Sequence, residues 1–209
     1  MSKFIGATVD FGIAKETVRG TAEATASYWL PKVSLSLDDM IENADDENSI
    51  GVIENIEGIN LVYKYAEGEL EAKIGDKSFG LILLATLGSV SSGSIVDSAY
   101  THTFSVLQSS QHPALSLFVD DANQDYKHAL GMITELEINA ETGSIINYKA
   151  GFRAKVGATA TLTPSYSAEN LFLAQHIIVK TATTQAGLDA AGAIVVRSFN
   201  LKIEKNVED

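Results

Sequence analysis

The sequence contains no cysteine, no long apolar run and few positive charges. The absence of cysteine excludes disulfides, thiolate catalysis and cysteine metal sites, and it suits a protein made in a reducing cytoplasm. The longest apolar run, around residues 81–85, is far shorter than the roughly 20 residues that a membrane helix requires. Thr8 and Asp10 interrupt the apolar core that a secretory signal would need. We therefore expect a soluble chain without a signal peptide or a membrane anchor.

Negative charge dominates the composition. The chain has 27 Asp and Glu residues against 15 Lys and Arg residues, a formal net charge of −12. This balance argues against a groove that grips nucleic acid, which needs clustered cations, but not against a surface that DNA passes without sticking. The length of 209 residues fits one all-β domain or at most two small ones. We treat residues 1–209 as a single domain.

The central feature is a predicted β-hairpin over residues 131–157. Its second arm places Ile146, Tyr148, Ala150, Phe152, Ala154 and Val156 on one face and Asn147, Lys149, Arg153 and Lys155 on the other. Its first arm alternates Leu136 and Ile138 with Glu135, Glu137 and Asn139. Such period-2 alternation puts the apolar side chains on one side of a sheet, and Gly143 suits the turn.

The other elements are predicted from similar patterns. Residues 1–30 read as an irregular N-terminal arm with at most one short strand, and residues 38–49 as an acidic loop. Residues 59–74 predict a second hairpin that turns at Ala66–Gly68. Residues 76–88 predict the one helix, with Asp76 as N-cap and Gly88 at its end. Ser89–Ser98 reads as a linker, and further strands are predicted at 33–37, 100–107, 115–119, 176–179 and 193–205.

No catalytic or metal-binding constellation is convincing. The four histidines lack metal spacing, and there is no G-x-S-x-G nucleophile motif. Asp97 and His102 with a serine form only a formal candidate triad, and Asp121, Asn123 and Asp125 match only the start of a calcium loop. We predict no enzymatic activity, no catalytic residue, no cofactor and no bound metal.

Several ordered stretches, which together cover almost the whole chain, resemble the major tail tube proteins of long-tailed bacteriophages. They are GIAKETVRGTA (12–22), the short apolar helix FGLILLATLG, the strand YTHTFSV, the strand KAGFRAKVG and the terminal VVRSFNLKIEKNVE (195–208). The resemblance implies a mainly β fold, a β-sandwich or rolled barrel with long hairpins and one flanking α-helix.

The same resemblance implies a structural virion protein rather than an enzyme. Its subunits would form hexameric rings that stack into a tube and conduct DNA during ejection. The implied partners are further copies of the chain and other tail proteins, namely the tape measure, tail terminator and distal tail proteins. DNA would pass the lumen without specific binding, and no membrane would be involved. The implied location is the virion tail, after assembly in the host cytoplasm.

Two sets of site residues follow as hypotheses. The hairpins 59–74 and 132–156 would line the channel, through Glu135, Glu137, Asn139, Asn147, Lys149, Arg153 and Lys155. Contacts between subunits or rings would use Asp38, Asp39, Glu42, Asp45, Asp46, Phe79, Leu81 and Leu84, because the acidic segment protrudes and a helix that is apolar all round suits a subunit seam.

Two other interpretations stay open from sequence. One is a β-sandwich binding module, for instance for carbohydrate, although the aromatic residues do not cluster into a platform. The other is the tube subunit of a contractile tail, a tail-like bacteriocin or a type VI secretion system. The genetic neighbourhood, with or without a sheath gene, would separate that last group from a flexible tail.

Overall fold

The structure is a computed structural model, and it describes residues 8–46, 58–96 and 99–207. The fold is mainly β and antiparallel with one α-helix, α1 (Phe79–Leu87), as predicted. The strands in these ranges are β1 (Asp10–Lys15), β2 (Tyr28–Leu30), β3 (Lys32–Asp46), β4 (Gly58–Lys73), β5 (Gly88–Val96), β6 (Ala99–Val106), β7 (Leu115–Asp120), β8 (Asp125–Glu141), β9 (Asn147–Ala154), β10 (Ala158–Ala160), β11 (Val179–Lys180), β12 (Ala193–Ile194) and β13 (Ser198–Glu204). Single 3-10 turns lie at Ala174–His176 and Gln185–Gly187.

The long strand β8 belongs to two sheets. Its first half lies between β7 and β10. The strands in the order β2-β1-β7-β8-β10 are here called the first sheet. Its second half lies in the order β13-β8-β9-β4-β3, here called the second sheet. The change occurs at Leu130, whose φ of 57° is unusual for a residue other than glycine. The described part of the chain therefore forms a sandwich whose sheets share one strand and do not close into a barrel.

The core lies between the two sheets. Phe11 from β1 meets Phe152 from β9 with ring centroids 5.8 Å apart. On the second sheet, Leu70, Leu136, Tyr148 and Phe152 all turn to this side and are buried. The predicted alternation of the central hairpin is thus confirmed, as is the turn glycine, Gly143, with a φ of 84°.

The helix begins later than predicted. Its N-cap is Ser78 rather than Asp76, because the distant Glu169 accepts hydrogen bonds from the N–H and the hydroxyl of Ser78, at 2.9 and 3.0 Å. Asp76 instead accepts hydrogen bonds from Asn170. The predicted end is confirmed, since Gly88 has a φ of 99° and its N–H bonds to a helix carbonyl. The helix covers the second sheet through Phe79, whose ring lies 5.1 Å from that of Tyr148.

The predicted hairpin over residues 59–74 was wrong. Residues 58–73 form one continuous strand, β4, between β3 and β9. The predicted turn lies inside it: Ala66 is buried, and Gly68 is in close contact with β3. A Cβ atom at Gly68 would lie only 2.0 Å from the carbonyl oxygen of Ser36, so this glycine permits strand contact instead of a turn.

The predicted acidic loop over residues 38–49 was wrong as far as it is described. Residues 38–46 continue β3 and pair with β4 down to Asp46, opposite Gly58. Strand formation is compatible with the charge because Asp38, Asp39 and Glu42 remain exposed to solvent. Residues 47–49 lie outside the described ranges.

Three other predictions needed correction. The N-terminal arm contains two strands, β1 and β2, and its Phe11 and Ile13 are fully buried. The predicted linker 89–98 is strand β5 up to Val96, paired with β6. The strand predicted at 176–179 is reduced to the two residues of β11. For the N-terminal arm, pairing of β1 with the distant β7 decided the backbone conformation, and for residues 88–96 it was pairing with the next strand, β6. Local composition does not report either pairing.

Candidate functional site

The described residues contain no candidate metal site, and the formal triad of the sequence is only partly described. No group of three or more His, Cys, Asp or Glu side chains in residues 8–46, 58–96 and 99–207 is placed to hold a metal ion. His102 is an exposed strand residue whose Nδ1 lies 2.8 Å from Ser92 Oγ, while Asp97 is outside the described ranges. Asp125 accepts the N–H of Leu162 at 2.7 Å. In the same part of the chain, no helix has the length and hydropathy to cross a membrane.

One side of the second sheet is strongly polar. Because directly paired residues share a face, the register places one charged or amide residue after another across four strands. This polar face consists of Glu67, Glu69, Glu71 and Lys73 on β4, Asn147, Lys149 and Arg153 on β9, Glu135, Glu137 and Asn139 on β8, and Asn200, Lys202 and Glu204 on β13.

Six of the seven residues predicted to line the channel meet on this polar face. They are Glu135, Glu137, Asn139, Asn147, Lys149 and Arg153. Lys155 lies just beyond the end of β9, with its Nζ 3.4 Å from the carbonyl oxygen of Gly20. The contribution of β13 was missed, because its pairing with β8 joins segments about 60 residues apart and leaves no local signal.

Ion pairs between strands and within β13 connect residues of the polar face. Lys149 Nζ lies 2.8 Å from Glu69, and Lys202 Nζ lies 3.1 Å from Glu135 and 2.8 Å from Glu204. The contact with Glu69 raises the pKa of Lys149. Hydrogen bonds from Asn139 and Asn200 lower the pKa of Glu137. Both contacts favour the charged forms of Lys149 and Glu137. The polar face as a whole carries six carboxylates and four cations.

The distal half of the β3–β4 hairpin extends away from the sandwich. We call residues 39–46 and 58–65 the β3–β4 arm, because β9 pairs with β4 only from Ala66 onward. Eight strand residues span about 27 Å. The apolar side chains of Met40, Ile41, Leu61 and Val62 are 44–63% exposed, on both faces of the arm. Exposed apolar groups of this kind indicate a surface that contacts another molecule.

The residues predicted for contacts between subunits are divided among different surroundings. Asp38, Asp39 and Glu42 are all exposed, and Asp39 also accepts the N–H of Gly157 and lies 3.6 Å from Nδ1 of the buried His128. Asp45 and Asp46 pair with β4 near the end of the arm.

On the helix, Phe79 is buried against Tyr148 and belongs to the chain's own core. Leu81 and Leu84 are half-buried. Of the three helix residues predicted for contact with another subunit, Leu81 and Leu84 therefore stay candidates and Phe79 does not.

A cationic cleft lies at the base of the arm, and sequence reasoning missed it. The cleft has a volume of about 710 Å³ and is lined by Arg19, Lys64, Arg153, Lys155 and Lys205, together with polar and apolar residues. Among the described residues, no Asp or Glu lines it. Arg19 donates to the carbonyl of His112 at 2.5 Å, and Lys205 donates to the carbonyl of Ala85 at 3.0 Å. Burial and the charge of Arg19 lower the pKa of Lys205.

Comparison with known proteins bears on the whole chain. No curated protein matches it significantly. The model of one family, described as "Phage tail tube protein", matches residues 6–209. That span includes every strand of both sheets, the helix, the polar face and the cleft. The chain therefore belongs to the phage tail tube protein family.

Proposed function

We propose that six copies of this chain close into a ring, that the rings stack into a tube, and that the polar face of the second sheet lines the channel through which DNA passes. The family itself establishes the coarser statement: the chain is a structural, non-enzymatic subunit of a phage tail tube. It also implies a place in the virion tail and contacts with further copies and other tail proteins.

The observation that carries the proposal is the pair of open edges on the second sheet. Within the described ranges, β3 pairs only with β4 at one edge, and β13 pairs only with β8 at the other. An unpaired edge presents backbone donors and acceptors that favour pairing with another chain. A cyclic ring joins unlike edges of successive copies, β3 of one to β13 of the next, and leaves no edge open.

The size of such a ring suits DNA passage. Six copies of a four- or five-stranded sheet, with strands about 4.8 Å apart and tilted by about 40°, close into a barrel about 50–60 Å across. This span exceeds the width of a DNA duplex even after side chains fill part of the lumen. In each copy, the first sheet and α1 cover the apolar face of the second sheet. These covering elements therefore lie on the outside of the ring.

The polar face suits a lumen by its charge. Its six carboxylates outnumber its four cations, and two of the cations, Lys149 and Lys202, are engaged by Glu69 and Glu135. A surface of net negative charge repels phosphate, so DNA slides past it without being held. We expect contacts with tape measure, terminator and distal tail proteins at the ends of the tube, and assembly in the host cytoplasm.

Electron microscopy of the purified protein tests the proposal. A concentration series in negative stain should show rings or tubes with six-fold symmetry, first alone and then with tail-tip complex as initiator. Mass spectrometry of purified virion tails should find the chain as a major component. Rings of another symmetry would overturn the six-fold arrangement. The tube assignment would be overturned if the protein stayed as single subunits both alone and with tail-tip complex, and if purified tails did not contain it.

A further inference from the structure

We infer that the cationic cleft at the base of the β3–β4 arm is a binding site for phosphate groups. The inference goes beyond the proposed function, because it concerns a single copy of the chain and needs neither a ring nor a tube. The phosphate groups have two possible sources, a free phosphate or pyrophosphate anion and the backbone of DNA, and a competition experiment distinguishes these sources.

The cleft gathers positive charge in an acidic protein. Five of the 15 Lys and Arg residues line it, although the formal net charge of the chain is −12. Four of the five form no ion pair with any carboxylate of the described ranges, namely Arg19, Lys64, Lys155 and Lys205. On the polar face, in contrast, Lys149 and Lys202 each lie within 3.1 Å of a glutamate. Cations gathered in one cleft repel one another, so the cleft favours an anion with more than one negative charge.

The guanidinium of Arg19 is held in place and keeps donors for a ligand. It donates to the His112 carbonyl at 2.5 Å and contacts the Met132 sulfur at 3.7 Å. These two contacts engage two of the five N–H groups of an arginine, which leaves three for an anion. The planar guanidinium donates to two oxygens of one phosphate at once. Because its side chain is already fixed, Arg19 binds an anion with little loss of side-chain entropy.

The ammonium of Lys205 is held in a similar way. Its Nζ donates to the Ala85 carbonyl at 3.0 Å and lies 3.2 Å from Nδ1 of His112. Burial and the charge of Arg19 lower the pKa of Lys205. A bound anion opposes both effects, because it stabilises the charged ammonium and offsets the repulsion from Arg19. Anion binding should therefore raise the pKa of this lysine.

The shape of the cleft favours phosphate over a carboxylate. Its cations come from four segments: Arg19 from the β1–β2 connection, Lys64 from β4, Arg153 and Lys155 from β9 and just beyond it, and Lys205 from the end of β13. A tetrahedral phosphate presents oxygens in several directions, whereas a carboxylate has only two oxygens in one plane. The volume of about 710 Å³ far exceeds the roughly 30 Å³ of one liquid water, so a polyatomic anion enters with part of its hydration.

Lysine acetylation of the full-length wild-type protein tests the site directly. The protein is acetylated in sodium phosphate and in sodium chloride of equal ionic strength, and peptide mass spectrometry measures the reaction of each lysine. Phosphate should protect Lys64, Lys155 and Lys205 several-fold, whereas Lys180, which lies outside the cleft, should react equally in both salts. Equal reaction of the cleft lysines in both salts would overturn the inference. Full protection in chloride would also overturn it, because another group of the protein would then fill the cleft.

Charge removal provides a second test. Calorimetric titration with pyrophosphate compares the wild type with the variant Lys64→Gln with Lys155→Gln. We expect the affinity to fall about tenfold or more, because hydrogen bonds between charged groups are lost. The matched control, Lys15→Gln with Lys180→Gln, removes the same charge from exposed sites outside the cleft and should keep the wild-type affinity. Equal affinities of the two double variants, or no pyrophosphate binding by the wild type, would overturn the inference.

A fluorescent DNA duplex distinguishes the two sources of phosphate. If the cleft takes the DNA backbone, pyrophosphate should displace the duplex, and the cleft variant should bind the duplex more weakly than the control variant. If pyrophosphate binds in the cleft and the duplex does not, the ligand is a free phosphate anion. Both results support the phosphate site. If the cleft variant does not fold, acetylation of the wild type still decides the inference, and it does so whether or not electron microscopy shows rings.

Discussion

The carboxylate of Glu16 holds the main chain of Leu130 at the point where β8 passes from the first sheet to the second. Its Oε1 accepts the N–H of Leu130 at 2.6 Å, and its Oε2 accepts the N–H of Gly20 at 2.6 Å. Glu16 is only 6% exposed, so these bonds satisfy a carboxylate that is largely shielded from water. The β8 residues of the polar face, Glu135, Glu137 and Asn139, follow on the same strand after this point.

We predict that Glu16→Ala destabilises the fold by about 1–3 kcal/mol, because two backbone N–H groups lose their acceptor in a part-buried site. Urea unfolding of the purified monomer measures the change. The matched control is Glu141→Ala, an exposed glutamate near the hairpin turn, which should alter stability by less than about 0.5 kcal/mol. Equal effects of the two variants would contradict the assigned role of Glu16.

The contact between the two sheets gives a second prediction. Phe152 is 1% exposed and packs against Phe11 of the opposite sheet, so Phe152→Ala opens a cavity in the centre of the core. We expect a loss of about 3–5 kcal/mol in the free energy of unfolding. Phe172→Ala, at a position that is 42% exposed, should cost less than about 1 kcal/mol. A small effect at Phe152 would argue against the sandwich packing.

His128 predicts a dependence of stability on pH. Burial lowers its pKa below the ordinary 6.5, although the Lys155 carbonyl and Asp39 oppose the shift. The unfolded chain therefore binds more protons than the folded chain as pH falls through 6.5 toward the lower folded pKa, and stability is lost in that range. His128→Asn should lose less stability than the wild type between pH 7.5 and 5.5.

The control for this prediction is the exposed His176→Asn, which should keep the wild-type pH dependence. Burial and its neighbours Asp125 and Asp10 raise the pKa of Asp120, which gives a contribution of opposite sign. That contribution is present in all three proteins and cancels in the comparison. An unchanged slope of unfolding free energy against pH in His128→Asn would count against the assignment.

The channel assignment predicts a defect in DNA ejection. Glu135→Lys with Glu137→Lys converts two carboxylates of the polar face into cations, one of them beside Lys202. Both sites are on the solvent side of β8, so the variant should fold and assemble, but its lumen should attract phosphate and slow ejection. Fluorescence of DNA released from variant virions measures the rate. Glu135→Gln with Glu137→Gln, which adds no cation, should have a milder effect.

A normal ejection rate in virions built from the doubly reversed protein would place the polar face outside the channel. If the lysine variant forms no virions, the glutamine variant decides between the explanations. If that variant assembles and ejects normally while the lysine variant does not assemble, the face is engaged in contacts between subunits instead.

Much of the architecture follows from the sequence. The alternation along the central hairpin predicted which of its residues are buried and which form the polar face, because a strand turns successive side chains to opposite sides. Gly88 and Gly143 marked the end of the helix and a turn, since glycine adopts positive φ without strain. The order of motifs also predicted the family that the family model then matched.

Tertiary structure decided the remaining features. Asp38–Asp46 is a strand because β4 pairs with it, and Gly68 is a site of close strand contact although its local sequence reads as a turn. The hydrogen bond between Leu130 and Glu16, the cap that Glu169 provides for the helix, and the cleft of five cations all join residues far apart in the chain. Local periodicity reports only which face of an element is apolar. The partners of each element, and therefore the surfaces for assembly, depend on long-range contacts.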